Sequence, residues 1–193
     1  MRIAIFGSGS IGGYFGGRLS RAGEDVVFVA RGEHLNAMLT QGLRVDSING
    51  DFVLPPVQAT DNPSKIGKVD MVLVGVKAWQ VPEAAEAIRP MIGPETFVLP
   101  LQNGLEAPAQ LCEILGEQHV LGGLCGLFCY MAGPGHIIHA GTDSIFQLYS
   151  NCIIIRRKYE NNVLNHSSVI YFCSDVCPFG RHHEGISPSR EGN

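Results

Sequence analysis

The sequence predicts an α/β protein with a doubly wound, mostly parallel sheet, and three observations lead there. Short apolar runs alternate with helical patterns from Met1 to about Asp143. The runs are continuously apolar, as strands covered on both faces are. The first of them, Arg2–Phe6, feeds a glycine-rich turn that opens directly into a helical stretch.

Taken in order, Arg2–Phe6 is the first strand and Ile11–Ala22 the helix after the glycine turn. Val26–Ala30 is a second buried strand, followed by a helix over Glu33–Gln41. Leu43–Ser47 and Phe52–Leu54 flank Asn49-Gly50, a strong hairpin signal. Met71–Val76 returns to the parallel sheet. A helix over Val81–Ile92 begins with Pro82 and Glu83: proline's missing N–H is harmless in a first turn, and a carboxylate complements the helix dipole. Strand Phe97–Leu101, helix Ala107–Leu115 and strand Val120–Leu124 complete the alternation. The longest apolar run, Val120–Ala132, is too short for a membrane span of ~20 residues and reads as buried strand. Gly133-Pro134-Gly135 then turns into a strand-like His136–Ala140.

An apolar fraction of 45% and a charged fraction of 17% describe a globular chain with a buried core. A net charge of −4 offers no clustered basic face for nucleic acid. The apolar start stops at Phe6, which is not a signal peptide, so a cytoplasmic protein with reduced thiols is expected. Cys125 and Cys129 read as buried core residues, and Cys173, Cys177, His182 and His183 match no zinc spacing. Beyond Asp143 the composition shifts: residues 145–193 contain no alanine and no methionine, against 13 alanines before them. Two segments are therefore expected, a nucleotide-binding domain over 1–143 and an atypical, poorly ordered tail over 144–193.

Gly7-Ser8-Gly9-Ser10-Ile11-Gly12 satisfies the G-x-G-x-x-G pattern in its proper strand–turn–helix setting. Gly7 serves the sharp turn, Gly9 the close approach of a pyrophosphate, and Gly12 the packing of helix on sheet. The helix N-terminus offers unpaired N–H groups to the phosphates. Those six residues are candidate cofactor contacts. Arg31 stands at the end of the second strand, where an NAD enzyme usually carries an acid; a guanidinium there suits the 2′-phosphate of NADP(H). The competing reading has Glu33 reach the ribose, but it falls inside the next helix. Lys77 and Asn103 follow strands at their carboxyl ends, where open α/β sheets bind ligands. Each could equally be a surface lysine or a turn residue before Gly104. Trp79 could line the cleft or simply pack, packing being the favoured reading, and His119, His136 and His139 stand at no catalytic spacing.

Together with Val29-Ala-Arg31-Gly32, Val76-Lys77-Ala-Trp-Gln80, Leu101-Gln-Asn103-Gly104 and Gly133-Pro-Gly-His-Ile-Ile-His139, this turn resembles the N-terminal domain of ketopantoate reductase (2-dehydropantoate 2-reductase). The resemblance covers residues 1–143. It implies a Rossmann-type domain in which Arg31 meets the 2′-phosphate of NADPH, Lys77 contacts the cofactor, and Asn103 lies at the nicotinamide–substrate junction. It also implies a small 2-oxo acid substrate, 2-dehydropantoate, reduced to pantoate on the way to pantothenate and coenzyme A. No membrane or nucleic-acid partner is implied, and a homo-oligomer is compatible with the sequence.

The family continues into a helical C-terminal domain that supplies a general-acid lysine, and the sequence shows neither. Lys158, with Asn162 four residues on, faintly echoes the family pattern but comes only 15 residues after Asp143. The shift in composition reads as a truncated or misassembled coding sequence, so nucleotide binding with little turnover is expected. Two alternatives stand beside this: a non-catalytic NADPH-binding or sensing module, and a reductase of another 2-oxo acid or small ketone.

Overall fold

The computed structural model describes residues 1–141 and 145–149. Five parallel strands form the main sheet: β1 (Arg2–Phe6), β2 (Asp25–Val29), β5 (Ala59–Thr60), β6 (Met71–Val74) and β7 (Phe97–Pro100), in the order β5-β2-β1-β6-β7. Four helices, α1 (Ser10–Arg21), α2 (Gly32–Thr40), α3 (Val81–Ile88) and α4 (Glu106–Leu115), cross over between or after them. The period of two explains why these strands read as unbroken apolar runs. Ile3 and Ile5 of β1, Val26 and Phe28 of β2 and Leu73 of β6 face a core shared with α1 and α2. The alternate residues Ala4, Phe6, Val27, Val29, Val72 and Val74 meet Val81, Ala84, Ala85 and Ile88 of α3 and Leu111 of α4. Both faces are covered, as a parallel sheet requires.

A second sheet lies on the far side of α1. It contains β3 (Leu43–Ser47), β4 (Phe52–Leu54), β9 (Cys129–Gly133) and β10 (His136–His139) in the order β4-β3-β10-β9. The hairpin expected at Asn49-Gly50 pairs Leu43 with Leu54 and Val45 with Phe52, and Gly50 takes a φ of 94°. β10 joins β3 in parallel, His136 opposite Arg44. Helix α1 therefore lies between two sheets, and its glycines come in pairs one turn apart. A Cβ at Gly16 would collide with Phe28 and Ile5 of the main sheet. A Cβ at Gly13 would collide with Ile137 of the second sheet. Leu43, Val45 and Ile137 are fully buried against the helix, each contributing about 1.5–3 kcal/mol of apolar burial.

Three expectations need correction. The third helix stops at Ile88 and continues as a 3-10 turn over Arg89–Met91, not as helix to Ile92. Pro90 has no N–H to donate to the carbonyl four residues back, so the α pattern ends there. The strand expected at Val120–Leu124 leaves the main sheet after one parallel bridge, Val98 with Val120. Gly122-Gly123 offers that sheet no side chains to bury; β8 (Gly122–Gly126) pairs antiparallel with β11 (Ile145–Tyr149) instead. That strand lies past the compositional shift at residue 143. Finally, Val120–Ala132 is not one buried strand. β9 forms an edge, so Tyr130 and Met131 remain exposed, as does Phe128 just before it. The cluster Cys173 to His183, Lys158 and Asn162 lie outside the described residues.

Candidate functional site

The order of the main sheet reverses between β1 and β6: the chain winds outward through β2 and β5, then returns to β6 and β7 on the other side. Loops leaving β1 and β6 part at such a point and open a crevice at the carboxyl edge. The candidate residues fall in line along it. Arg31 follows β2, the glycine turn follows β1, Lys77 follows β6 and Asn103 follows β7. With neighbouring strands ~4.8 Å apart, this row spans roughly 14 Å.

The turn itself is tightly built. Gly7 has a φ of 91°, and a Cβ there would lie 2.8 Å from the Val76 nitrogen. A Cβ on Gly75 would lie 2.7 Å from the Gly7 carbonyl, so two glycines let the β1 and β6 loops touch. Gly12 packs directly over the Gly7 carbonyl, where a Cβ would collide. Gly9 differs from both: among the described residues nothing lies within 4 Å of its Cβ position. Helix α1 has no side-chain cap and no acid in its first turn. An open cradle before an uncapped helix N-terminus suits an anion such as a pyrophosphate. Ser10 and Ile11 form the first helical turn, and Ile11 packs partly against the core. Ser8 is buried, and its hydroxyl turns inward to the carbonyls of Ile5 at 3.2 Å and Val29 at 3.0 Å.

Arg31 is exposed at the start of α2, and among the described residues its guanidinium has no partner. Glu33 lies in the first turn of that helix, also exposed. Lys77 is exposed, and its N–H donates to Gln80 Oε1 at 3.1 Å, closing the 3-10 turn Ala78–Gln80. That turn carries Trp79 outward at 79% exposure, because Val81 takes the buried position that follows it. The packing expected of Trp79 is thus corrected. Gln102 ties the neighbouring loops together, donating from Nε2 to the carbonyls of Val74 at 3.1 Å and Val76 at 2.6 Å. Its Oε1 is buried without a partner among the described residues. Asn103 Oδ1 accepts the Cys125 N–H at 2.9 Å, so this exposed residue also anchors β8.

His119, His136 and His139 serve the framework. His119 meets the Thr96 carbonyl, His139 the Ser47 hydroxyl, and His136 the Asp46 carboxylate at 2.8 Å. The Arg44 hydrogen bond, then that of His136, holds the Asp46 carboxyl below its ordinary range. Burial pushes the Cys125 thiol up to about 11 and the Cys129 thiol up to about 12, leaving both neutral. One residue the sequence gave no reason to single out is His34, which touches both Ser8 and Gly135. No spacing relates positions 8, 34 and 135; only the fold joins them. Among the described residues no helix is long and apolar enough to cross a membrane.

A family described as "Ketopantoate reductase PanE/ApbA" matches residues 3–148. The chain belongs to the ketopantoate reductase family. That family consists of dehydrogenase-type oxidoreductases, and the match runs to within β11. The 2-dehydropantoate 2-reductase of a Nostoc species is 38% identical over 144 residues, 75% of this chain and 45% of that protein. The crystal structure of 2-dehydropantoate 2-reductase from Geobacter metallireducens superposes with a TM-score of 0.73 at 40% identity, covering 77% of this chain and 48% of that one. A D-mandelate dehydrogenase solved with NADH and anilino(oxo)acetate shares the fold at a TM-score of 0.67 and 24% identity. The chain spans about half the length of the relatives it matches.

Proposed function

We propose that this chain binds NADP(H) along the carboxyl edge of its main sheet, as the nucleotide-binding half of a 2-dehydropantoate 2-reductase. One observation carries the reading: Arg31, the glycine turn, Lys77 and Asn103 follow four adjacent strands in the order that an extended dinucleotide would meet them. In this reading the exposed Arg31, unpaired among the described residues, takes the 2′-phosphate, which a carboxylate at that position would repel. The open space at Gly9 and the first N–H groups of α1 receive the pyrophosphate. Lys77 holds the far half of the cofactor, and Asn103 lies where the nicotinamide meets a 2-oxo acid. The bound cofactor would supply the hydride that reduces the ketone. The chain's part is to hold the reacting carbons in register, which can be a large share of the rate.

The general-acid lysine that the family resemblance implies belongs to the C-terminal domain, beyond the matched residues 3–148. The absence of a positioned proton donor typically lowers rates by about 10²–10⁴-fold, so tight binding with slow turnover is the expectation for this nucleotide-binding half assayed by itself. Fluorescence titration with NADPH, followed by NADPH oxidation with 2-dehydropantoate, tests both parts. A folded chain that binds no dinucleotide overturns the reading. Turnover at the common enzyme scale of ~10 s⁻¹ overturns the slow-turnover part. Faster oxidation with a different 2-oxo acid reassigns the substrate.

A further inference from the structure

We propose that His34 is a positioning residue that sets the orientation of the peptide presented to the cofactor's pyrophosphate. The inference rests on the dinucleotide reading above. His34 lies in the first turn of α2 and makes two hydrogen bonds of opposite sense. Its Nδ1 accepts the Gly135 N–H at 3.0 Å, so the ring proton sits on Nε2 and is donated to the Ser8 carbonyl at 2.7 Å. A single neutral tautomer satisfies both.

Ser8 is thereby saturated. Its N–H donates to the Val29 carbonyl at 3.1 Å, its hydroxyl turns to Ile5 and Val29, and its carbonyl is held by His34. The Ser8–Gly9 peptide is trans and planar, so its C=O and N–H point in opposite directions. Holding the Ser8 carbonyl toward α2 turns the Gly9 N–H the other way. Among the described residues no acceptor takes that N–H, and Gly9 itself is exposed with nothing near its Cβ position. His34 thus fixes a donor facing the open cradle. Without that bond the same peptide is free to present its carbonyl oxygen, which repels an anion. The second bond gives the ring its own support. Gly135, at a φ of 68°, accepts the Arg44 N–H at 2.8 Å and so belongs to the second sheet.

Two isosteric substitutions separate the two bonds. In His34→Gln the amide nitrogen replaces Nε2 and keeps the donor to Ser8. In His34→Asn the amide oxygen replaces Nδ1, keeping the Gly135 bond and abandoning Ser8. Binding of NADPH to the full chain, measured by fluorescence titration, is expected to weaken by about 10-fold or more in His34→Asn and by about threefold or less in His34→Gln. Adenosine 2′-monophosphate, which lacks the pyrophosphate, should bind all three proteins alike by calorimetry. Equal NADPH affinity in wild type and His34→Asn overturns the proposal, as does an equal loss in both variants or a parallel loss of adenosine 2′-monophosphate. A folded wild-type chain that binds no NADPH overturns the dinucleotide reading and this inference with it.

Discussion

Gly9 and Gly12 stand three residues apart in one motif, yet the structure gives them opposite sensitivities to a single methyl group. At Gly9 φ is −66° and no described residue lies within 4 Å of the added carbon. Gly9→Ala should leave stability within about 0.5 kcal/mol of wild type. The methyl would occupy the space into which the pyrophosphate settles, removing one charge-assisted contact of about 1.5–3 kcal/mol. NADPH affinity should accordingly fall by about 10- to 150-fold. At Gly12 the new carbon meets the Gly7 carbonyl, which is backbone and cannot rotate away. Overpacking of this kind costs about 1–3 kcal/mol, offset by about 0.5–1 kcal/mol of helix propensity. A net loss of up to about 2 kcal/mol lowers Tm by roughly 4–8 °C in a chain of this size. Thermal unfolding and NADPH titration on both variants provide the test. If Gly9→Ala unfolds as early as Gly12→Ala, or binds NADPH as tightly as wild type, the assignment of the cradle is wrong.

Further outcomes follow from single contacts. Arg31→Ala should weaken NADPH binding by about 10- to 100-fold and leave NADH unchanged, as paired titrations would reveal; an unchanged preference refutes the 2′-phosphate contact. Asn103→Ala strands the Cys125 N–H and should destabilise by about 1–3 kcal/mol in denaturant unfolding, whereas Asn103→Asp keeps an acceptor and most of the stability. The Cys125 thiol, ordinarily near 9, titrates at about 11 when folded, so the unfolded chain loses its proton first. That contribution to stability is complete below about pH 9 and declines as pH rises toward 11, by up to about 3 kcal/mol. Cys125→Ala should flatten this alkaline decline in urea melts taken across the range; a decline of equal size in the variant would exclude the thiol as its source.

The parallel sheet was legible because its strands are buried on both faces and announce themselves as apolar runs, and the glycine turn because its spacing is local. The Asn49-Gly50 hairpin was legible for the same reason: turn chemistry lies within two residues. What escaped was set by contacts distant in sequence. Nothing near Gly122 says that the chain abandons the main sheet for β11, and nothing near Gly13 says that a second sheet packs on that side of α1. Trp79 escaped for another reason. Large aromatic side chains usually pack, and only the 3-10 turn after Lys77 turns this one outward. Among the candidate residues, the positions of Arg31, Lys77 and Asn103 could be read from the ends of strands. His34 could not, because its partners are 26 and 101 residues away.

The parallel pairing of β3 with β10 has a kinetic side. Arg44 and His136 lie opposite each other but are 92 residues apart in the chain. At synthesis rates of ~5–20 residues per second, β3 and its hairpin wait roughly 5–18 seconds on the ribosome before their partner strand exists. Through that interval Leu43 and Val45 lack Ile137 and have only the core residues made before it, such as Tyr14, Met38 and Leu54, to cover them. Closure of so long a loop is slow in any case, since its entropy is lost before the contacts reward it. The glycine turn, β1 and β2 can assemble early from local contacts, whereas the sheet that steadies them through His34 arrives last.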